Sequence, residues 1–364
     1  MKQPISACIM TKNEENVIAQ CIDSISPYVE EVIVLDTGST DKTVEIAKCK
    51  KVIVEQTSWN NSFSMVRNEL IRIASKPVIL MIDADEILVA DQQELLQRSY
   101  NFIVENNSMI GRLSIINQTE DNETTRSSAA RLFSNSTDIF FEGAVHEQIH
   151  SKNRSLSYFD TELKVMHDGY SKERVARNNK IQRNLELLFS ELRDKPEDSY
   201  LNFQIGRTYS VNGEHDKAEH YLNKAYRSAN GNEIFHSTII QTYGWTLLEN
   251  SKFETLLALL YSAIDRYPDY TDLYFLYGCT LTKMKSVNHI DLIPGIFEAC
   301  IALGEPDSRK YETVSGVGSY KAFYNLGIFK ELTGDKKGAI AAYQESSLEN
   351  YKPAMDRLQL ITNE

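Results

Sequence analysis

The order of apolar and polar positions divides the chain in two. Up to residue 83, short apolar runs alternate with helical stripes. ISACIM (5–10), EEVIVLD (30–36), KVIVEQ (51–56) and PVILMID (77–83) read as strands, most of them apolar along nearly their whole length. Between them, EENVIAQCIDSI (14–25) carries Val17, Ile18, Cys21, Ile22 and Ile25 at helical spacing. DKTVEIAKC (41–49) and SMVRNELIRIA (64–74) read as two further helices. Alternating strands and helices, with strands near-continuously apolar, predict a parallel sheet covered by helices on both faces. Ligands of such sheets lie beyond the carboxyl ends of the strands, so the turns TKNEE, DTGSTD and DADE are the places to look for chemistry.

From about residue 175 strand patterns give way to long helical ones, and small residues recur at fixed offsets. Gly206 is followed by Ala218 and Ala225, and Gly327 by Ala339 and Ser346, at the same two spacings. Both units carry a glycine in the turn between their helices, Gly213 and Gly334. Gly244 with Ala263 and Pro268 marks a middle unit, and Gly278 a weaker one. Small residues at these offsets let antiparallel helices pack closely, and the spacing resembles the tetratricopeptide repeat. Stacked helix pairs of this kind often dock peptides, and they equally serve as a dimer interface or a purely structural tail; the sequence leaves these roles open. The expected layout is an α/β domain over 1–170, a helical linker over 171–197 and an all-α repeat domain over 198–364.

The fourth strand ends in Asp83-Ala84-Asp85-Glu86. Burying several carboxylates is costly unless a cation neutralises them. Residues two apart at a strand end point to the same side, which would align Asp83 with Asp85. Hard divalent cations such as Mg2+ and Mn2+ take carboxylate oxygens together with phosphate oxygens, so the pattern suits a metal–diphosphate site. The plain alternative is that Asp85 caps a helix starting at DEILVADQQELL. In DTGSTD, Asp36 stands at a strand end and Gly38 allows an unusual backbone close to a ligand. Ser39 and Asp41 there are equally readable as caps of the next helix.

A net charge of -12 and a pI near 5.2 exclude broad electrostatic binding to nucleic acid or anionic lipid, which needs clustered Lys and Arg. The five cysteines (Cys8, Cys21, Cys49, Cys279, Cys300) are scattered, with no CxxC pair, which points to reduced thiols in the cytoplasm. The segment MKQPISACIM lacks the apolar stretch of a signal peptide, and no run is long enough for a transmembrane segment.

In order and spacing, ACIMTKNEENVIAQCIDSI, EEVIVLDTGSTDKTVEIA, WNNSFSMVRNELI and VILMIDADE resemble the N-terminal domain of family 2 glycosyltransferases of the GT-A type. RLFSN, FEGAVHEQI and HDGY, followed by helical repeats, resemble a bacterial group that joins this domain to tetratricopeptide repeats. Within it, the chain is similar to the peptide S-glycosyltransferases that modify sublancin-type bacteriocins, the glycocins. The resemblance implies a Rossmann-like nucleotide-sugar domain that uses a UDP-sugar with Mg2+ or Mn2+. Thr11, Asn13 and Glu14 would occupy the first nucleotide-facing loop, and Asp36 would meet uracil or ribose. Arg67 and Asn68 would form a further donor-site pair, with Asp83 facing the ribose, Asp85 binding the metal and His167 closing the metal site.

Inverting transfer needs a base to take the acceptor's proton, and Glu147 is the first candidate, with His146 orienting the acceptor or replacing it. Glu142 comes third, and Gly143 would leave backbone room beside the sugar. Arg131 and the helix SKERVARNNKIQRN, with Arg177, Lys180 and Arg183 on one face, would counter the leaving diphosphate, unless that face is simply solvated. Trp59 either stacks on the base or belongs to the core. The expected activity is transfer of a hexose or N-acetylhexosamine to a Cys, Ser or Thr side chain of a peptide or protein, with the repeats holding the acceptor or forming a homodimer. Transfer to a lipid-linked or lipopolysaccharide acceptor, or a non-catalytic repeat scaffold, are the alternatives.

Overall fold

A computed structural model describes residues 1–118, 124–167, 174–285 and 287–363. The first strands and helices follow in the expected order: β1 (Gln3–Thr11), α1 (Ile18–Ile25), β2 (Val29–Asp36), α2 (Thr43–Cys49), β3 (Ile53–Gln56), α3 (Phe63–Ile73) and β4 (Val78–Asp83). Alternate residues of β4 enter different clusters. Val78, Leu80 and Ile82 pack with Ile18, Ile22 and Leu96, while Ile79 and Met81 pack with Val66, Leu70 and Phe133. Burial on both faces is why the strand reads as an unbroken apolar run.

Then come β5 (Glu86–Leu88), α4 (Gln93–Glu105), β6 (Met109–Gln118), β7 (Thr124–Ser134), β8 (Ile139–Glu142), β9 (Gln148–Ser151), β10 (Ser157–His167) and α5 (Arg174–Leu192). The main sheet runs β3-β2-β1-β4-β7-β6-β10-β5, and β8 and β9 form a separate antiparallel hairpin. The expected all-parallel sheet therefore needs correcting. β3, β2, β1 and β4 are parallel, but β7 is antiparallel to both β4 and β6, and β5 is antiparallel to β10. The parallel rule extrapolates from strands buried on both faces, whereas β7 (TTRSSAARLFS) carries few large apolar residues and gives no such signal.

The chain divides into two compact units, Met1–Asp194 and Lys195–Glu364, so α5 belongs to the first. The second unit is built from helix pairs: α6 (Ser199–Val211) with α7 (His215–Ser228), α8 (His236–Glu249) with α9 (Phe253–Arg266), α10 (Thr271–Met284) with α11 (Ile293–Leu303), and α12 (Tyr320–Leu332) with α13 (Lys336–Ser347). A final helix, α14 (Lys352–Asn363), follows. Among the described residues of this unit, the one strand assignment is the two-residue stretch Thr313–Val314. No described helix is long and apolar enough to cross a membrane. All five cysteines are free thiols.

The recurring small residues sit where helices touch. A Cβ placed on Gly206 would lie 2.6 Å from Leu222 Cγ and 3.0 Å from its backbone nitrogen, and one on Gly327 would lie 2.6 Å from the Tyr343 ring. Ala218, Ala225 and Ala339 are fully buried. The Leu222 backbone cannot yield as a flexible side-chain tip can. Gly206→Val is therefore expected to destabilise the helical unit by about 1–3 kcal/mol, the range for overpacked cores, read as a lower thermal midpoint with the α/β unit unchanged.

Candidate active site

The carboxyl ends of β1 and β2 lead into two loops that are tied together. Asn13, at a left-handed φ of 55°, accepts the Thr40 N–H at 2.8 Å, and its own N–H donates to Ser39 Oγ at 2.8 Å. The Glu14 N–H donates to Thr43 Oγ1 at 2.8 Å. Asp41 accepts the Thr43 N–H at 3.0 Å and the Glu15 N–H at 3.2 Å, so it joins the first loop to the start of α2, where Lys42 is the N-cap residue; desolvation would raise its carboxyl pKa, but these bonds outweigh it and hold it below the usual range. Ser39 is not a cap, because its hydroxyl donates to Asp36. Asp36 itself is fully buried and accepts the Gly38 and Ser39 N–H groups at 3.1 and 3.0 Å. The carboxylate thus closes its own turn, at the strand end where the resemblance places a contact with uracil or ribose. Thr11, at the end of β1 and 3% exposed, has a buried hydroxyl with no hydrogen-bond partner in the protein. An orphaned buried hydroxyl fits a polar ligand held against this loop.

The acidic turn after β4 splits into two roles. The strand ends at Asp83, and Ala84 and Asp85 form a turn before β5. Strand alternation therefore stops before it can align Asp83 with Asp85, and Asp85 does not cap a helix. Asp83 receives Arg131 through both terminal nitrogens, at 2.6 and 3.3 Å, and Arg67 Nη2 at 2.8 Å. Burial alone raises the Asp83 pKa, but the two guanidinium groups outweigh it and hold the carboxyl far below its ordinary range. Glu86 is 4% exposed and accepts both the Asp83 N–H at 2.8 Å and Arg131 at 3.2 Å. Burial raises its pKa. Asp83, expected to face a ribose, is thus held by two arginines, and Arg131, expected at the diphosphate, lies against two carboxylates.

Asp85 takes a different neighbour. In the antiparallel pairing of β5 with β10, Glu86 stands opposite His167, and this register brings His167 Nε2 to 3.2 Å from Asp85 Oδ2. The two residues predicted as metal ligands therefore meet, although 82 positions separate them. Both keep some exposure, with side chains 22% and 32% accessible. One carboxylate oxygen and one imidazole nitrogen suit a divalent cation whose other positions go to phosphate oxygens and water. Among the described residues, no third His, Cys, Asp or Glu completes a closed cluster with them.

Helix α3 supplies the rest. Arg67, 6% exposed on its inner face, donates through Nε to Glu147 and so bridges Glu147 to Asp83. Burial lowers its pKa, but the two carboxylates raise it further and keep it charged. Asn68 holds both the carbonyl and the N–H of Phe141 on β8, at 2.9 and 2.8 Å. Asn68 thereby pins the hairpin whose loop carries Glu147. The loop between β8 and β9 is further tied by the Phe63 N–H to the Ala144 carbonyl at 2.8 Å and by the Ala144 N–H to Glu191 of α5. Within that loop Gly143 and His146 adopt left-handed φ angles of 106° and 55°, and His146 and Glu142 are exposed. Arg183 of α5 lies over the rings of Phe63 and Trp59, at 5.2 and 6.0 Å, so Trp59 is a half-buried member of the core with a cation on its face. The side chains of Arg177 and Lys180, and the DGY stretch 168–170, lie outside the described residues.

The site thus combines a parallel four-strand half, loops joined beyond β1 and β2, and an Asp–His pair after β4. Residues 6–167 match the family model described as glycosyl transferase family 2. This segment is a family 2 glycosyltransferase domain. Two alignments with curated relatives are long enough to extend beyond this domain into the helical unit. The chain is 29% identical over 291 residues to the SPbeta prophage-derived glycosyltransferase SunS of Bacillus subtilis, covering 78% of this chain and 68% of that protein. It is 27% identical over 271 residues to a TPR repeat-containing protein of Synechococcus elongatus, covering 72% of this chain and 64% of that one. The chain thus spans about two thirds of the length of these relatives. Among solved structures it is similar to MamA, with 16% identity and a TM-score of 0.40, over 49% of this chain and 93% of that one.

The two arginines that tie Asp83, Glu86 and Glu147 together were legible only in part from sequence. Arg67 was marked by the RN motif, whereas nothing in the sequence marked Glu86 as their third partner.

Proposed function

We propose that the chain is a metal-dependent inverting glycosyltransferase that moves a hexose or N-acetylhexosamine from a UDP-sugar to a Cys, Ser or Thr side chain of a peptide or protein. The observation that carries this reading is the meeting of Asp85 and His167 at the end of β4 within a family 2 glycosyltransferase domain. Asp85 and His167 would hold Mg2+ or Mn2+. The cation, when bound, would supply Lewis-acid stabilisation of the departing diphosphate.

The protein's own groups divide the remaining work. Thr11, with the loop built by Asn13, Glu14 and Asp36, forms the wall against which the nucleotide rests, and the orphaned Thr11 hydroxyl supports a polar contact there. Arg131 and Arg67 hold Asp83 and Glu147 in place, and Asn68 fixes the hairpin under Glu147. Glu147 accepts the acceptor's proton as the nucleophile attacks the anomeric carbon, with exposed His146 orienting the acceptor. A cysteine acceptor asks less of that base, because a thiol is partly ionised at neutral pH. Arg183, over Trp59 and Phe63, is the described cation of α5 offered to the donor side. The repeats bind the acceptor chain or a second copy, and free thiols agree with a cytoplasmic setting.

The test is a matrix of UDP-sugars and peptides bearing Cys, Ser or Thr, with Mn2+, read by intact mass. The expected result is a gain of one hexose or one N-acetylhexosamine on at least one peptide, with release of UDP. No mass gain across the matrix, together with no release of UDP, would overturn the assignment.

A further inference from the structure

We propose that Glu86 is a positioning residue that sets the geometry of the Asp85–His167 pair, and so the affinity for a divalent cation; this rests on the reading of that pair given above. Three observations converge on it. Its carboxylate accepts the Asp83 N–H at 2.8 Å, which closes the two-residue turn containing Asp85. Its backbone begins β5 and stands opposite His167 in the pairing with β10. Its side chain is 5% exposed and held at 3.2 Å by Arg131, so packing and an ion pair restrain it. One residue thereby closes the turn that carries Asp85 and occupies the register position opposite His167.

β5 is only three residues long, and a strand that short has little stability of its own. Its far end is braced by the Leu88 N–H to Ser24 Oγ at 3.1 Å, by the Val89 N–H to the Lys164 carbonyl at 3.0 Å, and by Gln92, which bonds both Val89 and Lys164. At the end beside Asp85, the bond from the Asp83 N–H to Glu86 performs that task. Groups that orient metal ligands from behind change affinity by roughly 10–100-fold when removed.

Two substitutions separate reach from charge. Glu86→Gln keeps an oxygen that can accept the Asp83 N–H and loses the charge facing Arg131. Glu86→Asp keeps the charge and shortens the reach by one methylene. Mn2+ binding to the full-length protein, followed by the electron paramagnetic resonance signal of free Mn2+, is expected to stay within about threefold of the parent for Glu86→Gln and to weaken by about tenfold or more for Glu86→Asp. A carboxylate that merely balances Arg131 gives the reverse order, and a purely structural one lowers the thermal midpoint with Mn2+ affinity unchanged; either result overturns the proposal. Asp85→Ala is the control on the underlying reading. If the parent binds no Mn2+, or Asp85→Ala binds it as tightly, the assignment of the Asp85–His167 pair fails, and Glu86 with it. If Asp85→Ala loses Mn2+ while both Glu86 variants keep it, only the positioning role fails.

Discussion

Asp85→Ala is expected to reduce Mn2+-stimulated release of UDP from a UDP-sugar by on the order of 100-fold or more, with the thermal midpoint within a few degrees of the parent. The size follows from what is removed. Partners standing behind a ligand already change metal affinity by roughly 10–100-fold, and Asp85 supplies one of the two donors themselves. The small effect on stability follows from its surroundings. Asp85 lies in a turn and is 22% exposed beside His167, outside the arginine-bound cluster of Asp83, Glu86 and Glu147. His167→Ala is expected to act in the same direction. Asp83→Asn should do the opposite, lowering stability first, because Asp83 binds two arginines. Equal UDP release by the parent and by Asp85→Ala, measured with a coupled nucleotide assay, would remove the metal from the reading; no release by either would favour the scaffold alternative.

The contrast between Asp83 and Asp85 shows what the sequence makes legible and where it stops. The run VILMID announces β4 because alternate residues enter different apolar clusters, so neither face interrupts the pattern. The spacing Gly206, Ala218, Ala225 announces a helix pair because only small residues fit where α6 meets α7. Both signals are local, carried by a few neighbouring positions. The division of labour inside DADE is not local. It depends on Arg131 and Arg67, 48 and 16 positions away, which bind Asp83 and not Asp85. It depends as well on the β5–β10 register, which brings His167 to Asp85 across 82 positions. The RN pair in α3 was visible as a motif, but Arg67 meets Glu147 across 80 residues and Asn68 meets Phe141 across 73. A motif can mark such residues; their partners come only with the fold. β6 and β7 escaped for a different reason, since β7 carries small and polar residues that leave no alternation to read.

Arg67→Ala is expected to destabilise the α/β unit by about 3–5 kcal/mol, the usual result of removing one partner of a buried ion pair. The Arg67 side chain is 7% exposed, and its guanidinium joins Asp83 to Glu147. After its removal Asp83 keeps Arg131, but Glu147, whose side chain is 10% exposed, loses the cation that neutralises it. The larger part of the loss should therefore come from Glu147. Adding Glu147→Gln to Arg67→Ala should recover part of it, so that the double variant is more stable than the sum of the single changes predicts. Arg67→Lys should rescue poorly, because one ammonium cannot present separate nitrogens to two carboxylates. With Trp245 replaced by Phe, Trp59 is the remaining tryptophan, and its fluorescence in urea reports the α/β unit by itself. Acid gives a second reading with a definite sign. The folded pKa of Asp83 lies below its unfolded value, because two arginines outweigh the burial that would raise it. The stability it contributes is complete above the unfolded value of about 4 and drains away as pH falls below it. With one arginine gone the folded pKa rises towards the unfolded one, so the contribution at neutral pH shrinks and its loss in acid is shallower. Additive single and double variants, with acid unfolding curves parallel to the parent's, would show that Arg67 holds neither carboxylate in solution.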